Sequence, residues 1–318
     1  MKAPRFAKWI AGLTLLNQPQ RSQALAALHP AVGLDRIIAL IEHIRAPERR
    51  CPDCACPCWR RHGHANDLQR YRCCECGRTF NDLSGTPLAR LRLKDKWLQY
   101  LAVLLDSMPV RKAAARLGVH RNTAFRWRHR FLDRIKHDRP RQLGGIVEAD
   151  EMFLLESQKG SRKLKRAPRR RGGAARKRGI SRELDCILVA RDRSGQTIDA
   201  VTGRGALQAA QLERHLLPKL DPQALLVSDS NAAYGAFARR HAIAHQAVNL
   251  RAGERVRGAI HVQNVNGYHH RFRQWLARFH GVASHRLPNY LGWRWALDGG
   301  RINSVEQLLR IAFGVIYS

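Results

Sequence analysis

The sequence is poor in acidic residues and has no long apolar run. It has 25 Asp and Glu against 57 Lys and Arg in 318 residues, a formal net charge of +32. No apolar run approaches the roughly 20 residues that span a bilayer, and residues 9–16 are too short and polar for a signal peptide. We therefore expect a cytoplasmic protein without a membrane partner. The excess of cations predicts a polyanionic partner, and nucleic acid is the obvious one.

Cysteine is nearly absent outside one short stretch, since seven of the eight lie between residues 51 and 76. In a reducing compartment such crowding indicates a metal site rather than disulfides. Two CxxC pairs flank residues 55–72, which is the spacing of a zinc ribbon. Four thiolates leave no open coordination position on the ion, so we expect the Zn²⁺ to be structural. The predicted ligands are Cys51, Cys54, Cys73 and Cys76. Cys56 or Cys58 could replace Cys54, and His62 or His64 could serve as a ligand.

Residues 97–131 have the pattern of a helix-turn-helix. A helix over residues 110–117 is followed by Gly118 as a C-cap and by a second helix over residues 121–131. We expect residues 97–105 to supply the preceding helix. Phe125, Trp127 and Phe131 are predicted to anchor the second helix, which enters the major groove of double-stranded DNA. Its predicted outward, DNA-binding side chains are Arg121, Asn122, Arg126, Arg128 and Arg130.

The second half of the chain alternates strands and helices, and two apolar strands carry acids. Residues 145–155 place Asp150 in mid-strand, with Glu148 on the same face and Glu151 pointing the other way. Residues 224–229 end on Asp229. A hairpin over residues 184–201 and a helix near residues 207–217 lie between them. This order predicts a ribonuclease-H-like domain, a mixed sheet flanked by helices, with metal-binding acids on its first and fourth strands.

In their order along the chain, several short motifs resemble bacterial insertion-sequence transposases of the ISXO type, the zinc-ribbon branch of the DDE superfamily. The resemblance covers roughly residues 50–297. Its matching stretches are Cys51-Pro-Asp-Cys54, Tyr71-Arg-Cys-Cys-Glu-Cys-Gly77, Gly85-Thr-Pro-Leu88, Glu148-Ala-Asp-Glu151, Glu156-Ser-Gln-Lys-Gly-Ser-Arg162, Val227-Ser-Asp229 and Gln263-Asn-Val-Asn266 through Gly281-Val-Ala283.

The resemblance implies a catalytic site for cutting and joining DNA. Asp150 and Asp229 would hold two Mg²⁺ ions, and Asn266 stands where the family usually has a third acid, with Asn264 as the neighbouring alternative. Arg273, seven residues later, lies on the same helical face and would clamp a DNA phosphate. Hydrolysis would free a 3′ hydroxyl at the element end, which then attacks target DNA. A family member would act as a homo-oligomer that pairs two ends.

A basic stretch follows the first acid-bearing strand. Lys and Arg make up eleven of the twenty residues from Lys159 to Arg178. We expect a flexible insertion that grips backbone phosphates of DNA. Arg169, Arg170 and Arg171 are its predicted contacts.

The sequence thus predicts an α/β multidomain protein and leaves three other functions open. The expected parts are a helical segment (1–50), a zinc ribbon (51–87), a helix-turn-helix (92–137), the ribonuclease-H-like domain (145–298) and a C-terminal segment (299–318). A non-enzymatic DNA-binding regulator would need only the zinc ribbon and the helix-turn-helix. An inactive transposase relic, or a ribonuclease or resolvase-type nuclease on the same fold, would retain the acid-bearing strands.

Overall fold

The structure is a computed structural model that describes residues 3–164, 166–170, 172–248 and 256–315, without the side chains of residues 26–32. The chain forms two compact units. The first comprises Met1–Arg130 with Ser304–Tyr317, and the second comprises Phe131–Asn303. Within the described residues, no helix combines the length and apolar character needed to span a membrane.

The first unit begins with two helices, α1 (Ala3–Gly12) and α2 (Gln18–Arg45). Asn17 caps α2, because its side chain accepts a hydrogen bond from the backbone N–H of Gln20. Ile37, Ile41 and Ile44 are fully buried at helical spacing near the end of α2. The helical character expected for residues 1–50 is therefore present, and α2 packs its C-terminal part into the unit.

A small antiparallel sheet follows, made of β1 (Trp59–Ala65), β2 (Leu68–Cys73) and β3 (Thr79–Phe80). Its core is small: Cys51, Tyr71, Cys73 and Phe80 are buried together, with Trp59 packed against them. So few apolar side chains give little stabilisation by themselves, and small domains of this kind commonly depend on a metal.

Three helices lie where the sequence predicted a helix-turn-helix and its preceding helix: α3 (Trp97–Leu105), α4 (Val110–Leu117) and α5 (Arg121–Phe131). Gly118 ends α4 in the left-handed conformation at φ 60°, as the sequence predicted for a glycine C-cap. A further helix, α10 (Val305–Phe313), packs against α3. The C-terminal segment, to which the sequence assigned no role, therefore contributes to this unit.

The second unit is built on a five-stranded mixed sheet. Along the chain its strands are β4 (Ile146–Leu155), β5 (Leu184–Asp192), β6 (Thr197–Arg204), β7 (Leu225–Asp229) and β8 (His245–Val248), and they lie in the order β6-β5-β4-β7-β8. The first three pair antiparallel, whereas β7 lies parallel to β4 and β8 parallel to β7. The mixed sheet of the second unit and the helices of the first confirm the α/β class, and the strand order agrees with the ribonuclease-H-like expectation.

Helices cover both faces of this sheet. Val147 and Ala149 belong to one buried cluster with Leu212 of α6 (Ala209–His215) and Phe237 of α7 (Ala232–Arg240). The alternate residues of β4 face α8 (Gln263–Ala277), which packs next to α9 (Leu287–Asp298) through Trp275 and Trp293. The alternation along β4 thus directs Val147 and Ala149 to the face of α6 and α7, and Glu148 and Asp150 towards α8.

Candidate active site and nucleic-acid interface

The two predicted acids lie side by side at one edge of the central strands. In the parallel pairing of β4 with β7, Ala149 is opposite Ser228, so the next residues, Asp150 and Asp229, are neighbours. Oxygen atoms of Asp150, Glu151 and Asp229 all lie within 4.8 Å of one another. The structure therefore brings the two predicted acids together and adds a third.

Glu151 was predicted to point away from Asp150, and its side chain does contact α7, on the opposite face of β4 from α8, yet its carboxylate still reaches the cluster. Its carboxylate accepts hydrogen bonds from Asn231 Nδ2 at 2.7 Å and from the Tyr234 hydroxyl at 3.1 Å. The backbone N–H of Asn231 also donates to Asp229 Oδ1 at 3.0 Å. Asn231 and Tyr234 at the start of α7 thus hold Glu151 close to the cluster, a contact between distant segments that strand alternation cannot reveal.

The cluster carries more negative charge than its protein surroundings neutralise. Burial, together with Asp229 and Glu151, raises the pKa of Asp150 to about 7, although Arg273 acts in the opposite direction. Crowded carboxylates are costly unless a cation compensates them. Oxygen donors at this separation fit a divalent ion of the hard type, such as Mg²⁺.

A second buried carboxylate, Glu148, fastens α8 to the same strand. It is fully buried and accepts from the backbone N–H groups of Asn264 at 2.8 Å and Val265 at 3.1 Å, and from Asn264 Nδ2 at 2.8 Å. Arg193 pairs with it at 2.6 Å. An anion at a helix N-terminus is favourable, because the first N–H groups of the helix lack partners within it. Asn264 is therefore engaged by Glu148.

His269 is the residue of α8 that reaches the acids. It is buried, and its Nδ1 lies 3.8 Å from Asp150 Oδ2. Burial and the charge of Arg273 lower the pKa of His269 to about 3, so the imidazole is neutral. Asn266 is exposed one turn earlier on α8, and Arg273 is exposed one turn later. Helical spacing from Val265, Tyr268 and Phe272 already places residue 269 on the buried face, but no motif in the sequence assigned His269 a role.

The four predicted cysteines of the first unit also meet. Their sulfur atoms lie within 4.8 Å of one another, with Cys51 and Cys76 at 3.6 Å and Cys54 and Cys73 at 3.5 Å. Each CxxC turn is followed by a residue in the left-handed region, Ala55 at φ 59° and Gly77 at φ 68°. Backbone N–H donors of the second turn, led by that of Cys76, lower the pKa of Cys73 to about 7, which favours its thiolate.

The exposed face of α5 differs from the predicted one. Arg121, Asn122 and Arg126 are exposed, as expected. Arg128 is 1% exposed and donates to the Met108 carbonyl, so its predicted outward position is wrong. Helical periodicity explains this: Ala124, Trp127 and Phe131 are buried, and residue 128 lies on the same face.

Two other predictions for α5 need correction. Arg130 is half-buried and donates to the carbonyls of Pro87 and Ala89 rather than facing outward. Phe125, predicted as an anchor, is 44% exposed because it lies on the face of Arg121 and Asn122.

The basic insertion is tied down by ion pairs. Glu156 is 3% exposed, and it pairs with Arg166 at 2.8 Å, Arg169 at 3.5 Å and Arg204 at 3.0 Å. Arg169, predicted to grip DNA phosphates, is therefore engaged by the protein's own carboxylates. Arg170 is exposed. Arg171 lies outside the described residues.

Two parts of the chain match models of known protein families. Residues 142–295 match the family model of the ISXO2-like transposase domain, and residues 90–136 match that of a homeodomain-like domain. The chain is 30% identical over 245 residues to an uncharacterized protein in transposable element ISH50 of Halobacterium salinarum, covering 76% of this chain and 82% of the relative.

Among solved structures, a pre-cleavage Mos1 transpososome aligns over 63% of this chain and 78% of that one. The sequence identity is 17% and the TM-score 0.21, values too low to bear on fold or function. The family match and the relative are sufficient: the chain belongs to the ISXO2-like transposase family and carries a helix-turn-helix domain that binds DNA.

Proposed function

We propose that this transposase cuts and joins DNA at the cluster of Asp150 and Asp229, with Asn266 of α8 as the third protein donor. The observation that carries the proposal is the meeting of Asp150, Glu151 and Asp229 within 4.8 Å, beside the buried imidazole of His269. The reaction is hydrolysis that frees a 3′ hydroxyl, followed by attack of that hydroxyl on a second DNA phosphate. Both steps displace an oxygen at phosphorus, so one site serves both.

Divalent ions bound there, Mg²⁺ in our proposal, would supply an activated water and neutralise charge on the reacting phosphate. The residues of the chain provide positions for this chemistry. Asn231 and Tyr234 hold Glu151 in place. Glu148 keeps α8 against β4, which sets the places of Asn266 and Arg273. The exposed guanidinium of Arg273 contacts a backbone phosphate of the DNA.

The four-cysteine cluster is proposed to hold a structural Zn²⁺. The four sulfurs offer a complete tetrahedral set, and the small sheet has little apolar core of its own. Zinc there would stabilise the fold of residues 51–80 and take no part in the reaction.

The helix-turn-helix is proposed to recognise the ends of the element through Arg121, Asn122 and Arg126. Arginine and asparagine side chains can bond the edges of guanine and adenine in the major groove. Arg170 of the basic insertion would add a phosphate contact. Pairing of two ends by a homo-oligomer is part of the same proposal.

Asn266 provides the sharpest test. Using a linear fragment that carries the reading frame with its flanking DNA, we expect Asn266→Ala to lower end cleavage at least about tenfold. Asn266→Glu should restore cleavage, because a carboxylate binds Mg²⁺ more strongly than an amide. Gln263→Ala is the matched control, since Gln263 is also exposed on α8. Full activity of Asn266→Ala would remove Asn266 from the site.

A further inference from the structure

A cleft of the first unit lies between α5 and the segment before α3. Its volume is about 400 Å³. Three of the lining side chains are arginines, and none of the lining residues is acidic. The lining residues are Gly85, Thr86, Ala89, Arg90, Leu91, Arg126 and Arg130.

Arg130 builds one wall of this cleft. Its guanidinium donates to the carbonyl of Pro87 and, at 2.8 Å, to that of Ala89. These bonds fasten residues 85–91, hereafter the clamp segment, onto the second helix of the helix-turn-helix. The cleft is therefore a fixed arrangement of two chain segments rather than a chance gap at the surface.

Arg90 and Arg126 supply the exposed positive charge of the cleft. Arg126 lies one turn before Arg130 on α5, and both Arg90 and Arg126 are exposed. Arg90 has φ 61°, in the left-handed region that a residue with a side chain seldom adopts. Such a backbone persists only where its surroundings impose it. Here Arg130 fixes the carbonyl of Ala89 immediately before it.

We propose that Arg90 and Arg126 together clamp one phosphate of the DNA backbone at the edge of the groove that α5 enters. Guanidinium groups bind phosphate oxygens in a fork geometry, and two from different segments would fix the orientation of the strand. The contact is independent of base sequence, so it would set the register of α5 while Arg121 and Asn122 contact bases. Arg130 is a positioning residue, because its bonds to the protein hold the clamp segment.

This inference rests on the proposed DNA binding by the helix-turn-helix, and its test separates the two. The full chain is titrated with a short random-sequence duplex in Ca²⁺ buffer over a range of salt concentrations. The wild type, Arg90→Ala, Arg126→Ala and the double variant are compared. Each phosphate neutralised by the protein contributes about 0.9 to the slope of log affinity against log salt.

One shared phosphate predicts a specific pattern. The double variant should lower the slope by about 0.9. The slope losses of Arg90→Ala and Arg126→Ala, added together, should differ from the loss in the double variant. Two separate phosphates would give an additive loss of about 1.8, which would overturn the shared clamp. An unchanged slope in the double variant would also overturn it. A wild type that does not bind the duplex would refute the proposed DNA binding by the helix-turn-helix, and the clamp with it.

Arg92→Ala is the matched control. Arg92 is exposed, lies two residues after Arg90 and does not line the cleft. Replacing it by alanine removes the same charge as Arg90→Ala. Its effect should add to that of Arg126→Ala without coupling. Equal coupling of Arg92 and Arg90 to Arg126 would assign the effect to the general field of the protein and overturn the clamp.

Discussion

Replacing Glu148 by alanine should detach the N-terminus of α8 from β4. The fully buried carboxylate of Glu148 accepts bonds from two backbone N–H groups of α8 and pairs with Arg193 at 2.6 Å. Removing one partner of a buried ion pair typically costs about 3–5 kcal/mol. Arg193 is 31% exposed and can regain water, so we expect a loss near the lower end, about 3 kcal/mol.

Denaturant unfolding and hydrogen exchange would measure this effect. In Glu148→Ala, the amides at the start of α8 should exchange faster, and DNA cleavage should fall because Asn266 and Arg273 lose their fixed positions. Glu148→Gln retains one acceptor oxygen and should lose less stability. Glu213→Ala is the control, since the pair of Glu213 with Arg240 is open to solvent. A Glu148→Ala variant as stable as this control, with unchanged exchange in α8, would refute the reasoning.

Three further predictions concern zinc, packing and pH. Cys73→Ser should lose the bound zinc and open residues 51–80 to protease, whereas Cys74→Ser should retain zinc because Cys74 is outside the four-sulfur cluster; equal zinc content in both variants would contradict this. Gly292→Ala should destabilise the second unit by about 1–3 kcal/mol in thermal unfolding, because an added Cβ would lie 2.6 Å from the Ile135 carbonyl oxygen; an unchanged melting temperature would disagree. Burial raises the pKa of Asp298, but bonds from Arg271 and Arg191 outweigh it and hold the pKa at about 2. Ionised Asp298 therefore stabilises the fold above about pH 4, and this stabilisation is lost as pH falls towards 2. The unfolding curves of wild type and Asp298→Asn should converge at that low pH. A constant difference between them would argue against the pairing.

Local patterns in the sequence predicted that Asp150 and Asp229 would lie together. An acid within an apolar strand is expensive to bury, which marks Asp150, and an acid at the end of a second apolar strand marks Asp229. Parallel pairing then brings them together. Cysteine spacing likewise predicts the four-sulfur cluster, because two CxxC turns are local structures whose geometry depends on few residues.

Contacts between distant segments were beyond the reach of these patterns. Asn231 and Tyr234 hold Glu151 beside the other acids. Glu156 pairs with Arg166 and Arg169 of the basic insertion, which was predicted to bind DNA. Arg128 is different, because helical spacing from Ala124 and Trp127 already places it on the buried face. The spacing favours burial, whereas the charge of an arginine side chain usually favours exposure.

The central claim is that Asp150 and Asp229 form the metal-dependent cutting site, and nicking of end-bearing DNA tests it most directly. The wild type should nick the fragment with Mg²⁺ or Mn²⁺ and not in EDTA. Asp150→Asn and Asp229→Asn should abolish nicking while binding the same DNA with wild-type affinity, since the helix-turn-helix is unchanged. Asp221→Asn, outside the acidic cluster, is the control. Nicking that survives in Asp150→Asn, or that proceeds without a divalent metal, would contradict the account.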